Sequence, residues 1–282
     1  MALVSVIIPT HNRALKTLRA VSSVLYQTFC DLEIIVVDDG SSDNTSKVIP
    51  EAFGSRITYV RHPRNLGVSA ARNTGIRTST AALIAFIDSD DYWLPEKLAI
   101  QTDFFLSNPA VVACQTGEIW IRNGRRVNPK KRHLKPGGDI FAPSLKLCLV
   151  SPSAVMLKKS VLDEVGFFDE NLPACEDYDL WLRIGCRYPI DLLKQALVIK
   201  TGGHPDQLSA RYSGMDRFRI KSMIKLIKAG QLNQKQEEAC FNELSCKCRI
   251  YGEGCLKRER LNEGRFYLAL PKSLKQEFTP LS

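Results

Sequence analysis

Four short apolar runs near the start of the chain, each ending in a polar turn, restrict its fold more than any other feature. They are Val4 to Ile8, Glu33 to Val37, Ile57 to Val60 and Leu83 to Ile87. A run that is apolar at successive positions, rather than alternate ones, predicts a strand covered on both faces. Amphipathic stretches separate the runs. Ala14 to Gln27 carries Leu15, Leu18, Val21 and Leu25 at helical spacing, Thr45 to Phe53 follows an Asn44 or Thr45 cap, and Val68 to Thr78 reads as a helix of small residues. The resulting βαβαβαβ order predicts a mostly parallel sheet with helices on both faces.

In such open sheets the ligand crevice lies outside the carboxyl ends of the strands. The residues there are Pro9 to Arg13, Asp38 to Ser42, Arg61 to Asn65, and Asp88 to Asp91. Two acidic clusters therefore face one crevice. Beyond Pro95 the pattern is mixed. Lys97 to Ser107 predicts a helix, Val111 to Gln115 and Glu118 to Ile121 two strands, and Arg122 to Gly138 a basic loop that could serve as a flap. Ser153 to Leu157 predicts a strand, Lys159 to Val165 a helix, and a further helix starts near Glu176, before a strand from Ala196 to Ile199. From Asp216 onward only helices are expected. The expected division is thus a catalytic α/β unit over residues 1–215 and a helical extension over 216–282.

Composition excludes several classes. No apolar run approaches the roughly 18 residues that a membrane-spanning helix needs. The opening MALVSVIIPT lacks the basic n-region of a signal peptide, so a cytoplasmic protein is expected. Nine scattered cysteines without paired spacing signal neither a disulfide framework nor a zinc ribbon; the nearest group, Cys240, Cys246, Cys248 and Cys255, has no histidine beside it. A formal charge of +9 points to an anionic partner.

Asp88, Asp90 and Asp91 repel one another unless a cation neutralises them. Mg²⁺ or Mn²⁺ suits a short cluster, because these ions take few protein carboxylates and are completed by substrate phosphates. A solvated turn would explain the same residues, since aspartate favours strand-to-loop turns. Asp38 and Asp39 admit two readings as well, turn formation or acceptance of ribose hydroxyls and a uracil N–H. A third acidic site, Glu176, Asp177 and Asp179, opens the helix near Glu176. The helix dipole accounts for acids there, and a carboxylate over the crevice could equally act as a general base. Neither G-x-G-x-x-G nor a P-loop occurs at the turns.

Taken in order, VSVIIPTHNR, EIIVVDDGSSDNT, RNLGVSAARNTGI, LIAFIDSDDYWLP and CEDYDLWLRI closely resemble the family 2 glycosyltransferases. The resemblance covers about residues 2–212. It implies a GT-A (Rossmann-like) α/β fold and an inverting, metal-dependent enzyme of hexosyltransferase type, acting on a UDP-sugar in cell-surface polysaccharide synthesis. It places Pro9, Thr10, His11 and Arg13 along the nucleotide base, with Asp39 accepting the uracil N–H and Asp38 beside it. Arg72 and Asn73 would lie near the diphosphate, Asp88 would touch the ribose or the metal's waters, Ser89 would belong to the nucleotide-sugar site, and Asp90 would bind the metal. Asp177 would be the catalytic base, supported by Glu176. His204, in GGHPDQ, would complete the metal site, although a lone histidine is often structural. Where some members have an aromatic residue stacked on the base, this chain has His11.

Two rivals remain at this level. A sugar-nucleotide pyrophosphorylase needs a glycine-dense loop after the first strand, which Pro9 to Arg13 is not. A non-catalytic carbohydrate or nucleotide binder would not require all three acidic clusters, and carboxylates lining the crevice would repel nucleic acid. The expected acceptor is a glycan or a lipid-linked hydroxyl. Asp216 to Ala229 has an apolar face (Ile220, Met223, Ile224, Ile227) and a basic one (Arg217, Lys221, Lys225, Lys228). Such a helix either packs on the catalytic unit or lies on an anionic membrane, which would place the protein at the inner face of the cell membrane.

Overall fold

The computed structural model describes residues 2–128, 130, 133–203 and 212–278. Four parallel strands, β1 (Val4–Thr10), β2 (Leu32–Asp38), β3 (Thr58–Arg61) and β4 (Leu83–Phe86), stand in the order β3-β2-β1-β4. Between them run α1 (Ala14–Leu25), α2 (Thr45–Phe53) and α3 (Val68–Thr78). Successive residues of β1 point to opposite faces, and both faces are covered. Val6 and Ile8 join a core with Val21, Ile49 and Leu98, while Ile7 joins Ile76, Ile84, Leu180 and Trp181 on the other side. That double burial explains the uninterrupted apolar runs. It fails for β3, an edge strand whose residues are exposed or half-buried.

The sheet continues past β4 in mixed order through β8 (Val155–Lys158), β6 (Ala113–Arg122), β9 (Asp191–Gly202) and β5 (Tyr92–Trp93), with β7 (Arg125–Val127) pairing with β6. The two strands expected over residues 111–121 are one. β6 runs through Gly117, where its parallel pairing with β9 shifts register, and a Cβ there would lie 3.1 Å from the carbonyl oxygens of Lys194 and Gln195. The glycine that reads as a break in the sequence is an irregularity inside a strand. The basic loop begins as a β6–β7 hairpin rather than as free coil.

Among the described residues, further helices follow the parallel half: α4 (Lys97–Ser107), α5 (Phe141–Lys146), α6 (Lys159–Val165), α7 (Glu176–Gly185), α8 (Asp216–Lys228) and α9 (Gln234–Leu256), before α10 (Leu261–Phe278). α1 buries Ala14, Thr17, Ala20, Val21 and Val24, and the expected face residue Leu15 points to solvent. Neither expected cap of α2 works through its own side chain. The carboxylate of Asp43 accepts from Thr45 N at 2.9 Å instead.

A third core joins the two expected units. Phe141 and Leu145 of α5 and Tyr178 and Leu182 of α7 pack with Ile220 and Met223 of α8 and Cys240, Leu244 and Cys248 of α9. Ile220, Met223 and Ile227 of the apolar face of α8 are thereby covered by protein, with Ile224 half-buried, and on its basic face Lys225 pairs with Asp169 and Asp179 and Lys228 with Glu277. All nine cysteines are free, and Cys240, Cys248 and Cys255 are buried as core residues. No helix among the described residues is long and apolar enough to cross a membrane.

Candidate active site

The carboxyl ends of β1, β2 and β4 open onto a cavity of about 630 Å³. The first wall is built by Asn12, whose backbone adopts a left-handed conformation with φ 53°. Its side-chain oxygen accepts from Ser42 N at 2.7 Å and Asp43 N at 3.2 Å, while its own N–H reaches Ser41 Oγ at 2.9 Å. Asparagine tolerates this conformation and its short amide stitches the β1 loop to the β2 loop. Behind it, Gly40 has φ +68°, and a Cβ would fall 2.3 Å from the carbonyl carbon of Arg64. Only glycine fits.

Asp38 and Asp39 divide the work that the sequence assigns to them jointly. Asp38 is fully buried and does not line the cavity; it accepts from Tyr59 Oη at 2.6 Å and Ser41 N at 2.9 Å. Asp39 lines the cavity, with His62 Nδ1 at 2.8 Å and the N–H groups of Leu66 and Gly67 each 2.8 Å away. These bonds order the loop after β3. They occupy three of roughly four acceptor positions of a carboxylate, so Oδ2 keeps capacity for a further donor. His11 Nδ1 lies 2.9 Å from the carbonyl oxygen of Asp39, which aligns its ring with the same wall.

Charges on the opposite wall interlock. Arg72, buried on α3, donates from Nη2 to Asp88 at 2.8 Å and from Nη1 to Glu176 at 2.7 Å. Two carboxylates and the ring of Phe168, 5.1 Å from the guanidinium carbon, hold Arg72 firmly protonated despite its burial. Arg13 pairs with Asp90 at 3.1 Å, and Arg19 donates to the Asp90 carbonyl at 2.7 Å. Asn73 faces away from the cavity, donating to the Phe168 carbonyl at 2.9 Å and to Glu170 at 2.8 Å. Pro9, Thr10 and Ser89 line the cavity.

Asp91, beside the D-x-D, is nearly inaccessible and accepts from Ser153 Oγ at 2.6 Å and Thr201 N at 2.9 Å. Burial pushes its carboxyl up to about 8, opposed by Lys200 and reinforced by Asp90 and Asp88. Lys200, on β9, donates to Ser151 at 3.0 Å and stays protonated against its burial through Glu118, Asp91, Asp88 and Asp177. Nothing local in the sequence marks Lys200. It sits on a strand far from the acidic motifs in sequence, and the pairing of β9 with β6 and with β5, which directly follows Asp91, brings it there.

The third acidic site enters through Cys175, a non-glycine residue with φ 61° immediately before α7. That strained residue sets the start of α7 at the cavity, so Glu176 and Asp177 both line it. Burial and the neighbouring Asp177 push the Glu176 carboxyl above the usual range, opposed by Arg72. Asp177 accepts from Tyr178 N at 2.7 Å, and the Cys148 thiol lies 3.5 Å from its Oδ2. Burial, with the Asp177 charge added, raises that thiol well above its ordinary range, so Cys148 stays a neutral donor.

The resemblance thus assembles in space: Pro9, Thr10, His11, Arg13, Asp39, Arg72, Asp88, Ser89, Asp90, Glu176 and Asp177 line one cavity, and Asp38 lies behind it. His204 lies outside the described residues. Among the described residues no group of three His, Cys, Asp or Glu side chains could hold a metal by itself. Two carboxylates of the D-x-D, Asp88 and Asp90, do face the cavity, and one or two carboxylates are what Mg²⁺ or Mn²⁺ takes when phosphates complete its shell.

Fold and cavity define a GT-A α/β domain, with acidic residues gathered at the carboxyl ends of its strands. A sequence model described as Glycosyl transferase family 2 matches residues 5–166, and the chain belongs to that family. Over 182 residues it is 34% identical to UDP-Glc:alpha-D-GlcNAc-diphosphoundecaprenol beta-1,3-glucosyltransferase WfgD of Escherichia coli, a match covering 64% of this chain and 69% of that protein. An uncharacterised glycosyltransferase of Rickettsia felis is 31% identical over 193 residues, which is 66% of this chain and 31% of the relative. The chain therefore spans about a third of the length of that relative. The solved structure of S. aureus TarS 1-349 in complex with UDP-GlcNAc superposes with a TM-score of 0.70 at 19% identity, covering 98% of this chain and 92% of that one. At that coverage the helical C-terminal region of the present chain lies within the matched span, and the likeness is one of fold.

Proposed function

We propose that the chain carries an inverting glycosyltransferase site, which moves a sugar from a UDP-sugar to a hydroxyl of a lipid-linked glycan in surface polysaccharide synthesis. The observation that supports this most is the convergence of carboxylates from three distant segments, Asp39, Asp88 with Asp90, and Glu176 with Asp177, around one cavity of about 630 Å³. A volume of that order suits a nucleotide sugar. WfgD, by its name, glucosylates a GlcNAc-diphosphoundecaprenol, which favours a lipid-linked acceptor.

Asp177 takes the proton of the attacking hydroxyl as that oxygen bonds to the anomeric carbon, and the sugar–diphosphate bond breaks on the opposite face. The electron pair leaves on the nucleoside diphosphate. Fixed cations favour that departing charge, because they are in place before it forms. Arg72 holds Asp88 and Glu176 at set positions, and Lys200 adds a positive charge on the wall. Asp90, with His204, would hold Mn²⁺ or Mg²⁺, with Asp88 on the ribose or the ion's waters, and the ion when bound adds positive charge beside the leaving group. Asp39 and His11 would meet the base.

Calorimetric titration of UDP, with Mn²⁺ and then with EDTA, and of GDP as comparison, tests the donor site. Tight, metal-dependent, UDP-selective binding is expected. GDP preference would overturn the base assignment of Asp39, and binding of neither nucleotide would overturn the enzyme reading. Asp177→Asn should lower transfer by about 10²-fold or more while leaving UDP affinity within about twofold, as removal of a general base requires. Unimpaired transfer would remove Asp177 from that role.

A further inference from the structure

A second depression, about 540 Å³, lies between α8 and α10. Its lining is mostly apolar: Phe218, Ile220, Ile224, Phe266, Tyr267 and Leu270. Phe266 is 59% exposed, an unusual position for so large an apolar ring. Pro173 and Tyr212 line both this groove and the catalytic cavity, so the two meet there.

Three cations border the groove: Arg217, Lys221 and Lys225. Lys225 is neutralised by Asp169 and Asp179. The other two have no carboxylate partner among the described residues. The Arg217 guanidinium carbon lies 4.6 Å from the Phe218 ring, and its buried Nε has no hydrogen-bond partner. Phe218 in turn packs edge-on against Tyr212, with ring centroids 5.6 Å apart. Lys221 donates only to the Asn171 carbonyl, at 3.3 Å, in the segment whose neighbours Leu172 and Pro173 wall the catalytic cavity. Both uncompensated charges therefore stand where groove and cavity join.

An apolar trough, two unneutralised cations at its inner end and a reaction cavity beyond them match one kind of molecule in order: an apolar chain, an anionic link and a sugar. We propose that the groove seats the first isoprene units of a polyprenyl diphosphate acceptor, with Arg217 and Lys221 on the diphosphate. This rests on the reading of the cavity as the sugar-nucleotide site. The groove gives that reading a direction, because the lipid enters from the α8–α10 side and presents its sugar at Asp177.

Equilibrium dialysis of labelled farnesyl diphosphate tests the groove separately from the donor site. It is run with farnesol and inorganic diphosphate as comparison ligands, with and without saturating UDP. Farnesyl diphosphate should bind in both conditions and about tenfold or more tighter than either half alone, since apolar burial and charge pairing act together. Arg217→Gln with Lys221→Gln should weaken it about tenfold and bring it close to farnesol, and Phe266→Ser should weaken farnesyl diphosphate and farnesol alike. Both variants should keep wild-type UDP affinity and melting temperature. Equal binding of farnesol and farnesyl diphosphate, unchanged affinity in the variants, or binding to phosphatidylglycerol vesicles without binding to farnesyl diphosphate would each overturn the proposal. Loss of UDP binding with farnesyl diphosphate binding intact would instead overturn the donor-site reading and leave the groove standing.

Discussion

At the scale of single residues, the aspartates that look mutually repulsive are held by organic cations. Arg72 bridges Asp88 and Glu176, Arg13 meets Asp90, and Lys200 lies among Asp91, Asp88 and Asp177. The acidic half of this arrangement is legible, because D-x-D and E-D stand as contiguous motifs. The cationic half is legible only in Arg13 and Arg72, since Lys200 belongs to no motif. Removing Arg72 strands two carboxylates, one of them buried. Arg72→Met should therefore destabilise the fold by about 3–5 kcal/mol in urea unfolding, and Arg72→Lys should recover little, because one ammonium cannot replace the two-armed bridge. A loss below about 1 kcal/mol would show that Asp88 and Glu176 do not depend on Arg72 for their charge.

At the scale of elements, α4 carries the opposite case, a cation without an anion. Lys97 opens that helix fully buried, with Nζ 2.5 Å from Gln101 Oε1 and 3.9 Å from the centre of the Trp93 ring. Burial pulls its ammonium down to about 7, with a smaller opposing effect of Cys114. In the unfolded chain the group titrates near 10.5. Between these values the unfolded chain binds more protons than the folded one, so this group's contribution to stability rises from about pH 7 to 10.5 and is least favourable below pH 7. Lys97→Met should raise the melting temperature most below pH 7 and flatten that rise. A variant that shifts melting equally at pH 6 and pH 10 would contradict the burial argument. The boundaries of α4 follow from the sequence, whereas its buried lysine does not; lysine at a helix start ordinarily reads as a solvated residue. The same limit applies to β5 and α5, two and six residues long, which offer too few positions for a period to show.

At the scale of the whole molecule, the expected division at residue 215 falls where α8 begins, yet a common core crosses it. Phe141, Leu145, Tyr178 and Leu182 lie against Ile220, Met223 and Leu244. A chain ending at Gly214 should therefore expose these side chains and show strong binding of a hydrophobic dye, low soluble yield and a less cooperative melt. Wild-type cooperativity in that fragment would establish residues 1–215 as an independent unit.

The sequence by itself determined the parallel half of the sheet, the helices between its strands and the positions of the three acidic clusters. Those features rest on local periodicity and on residues contiguous in the chain, which a single segment expresses in full. Tertiary structure decided the rest. It merged two expected strands across Gly117, placed Lys200 among the carboxylates through the pairing of β9 with β6 and β5, and separated Asp38, which binds Tyr59 and Ser41, from Asp39, which faces the cavity. It also turned the apolar face of α8 inward while leaving Arg217 and Lys221 at the mouth of a groove. Each depends on which distant segments touch, and amphipathicity or charge in one segment does not specify its partner.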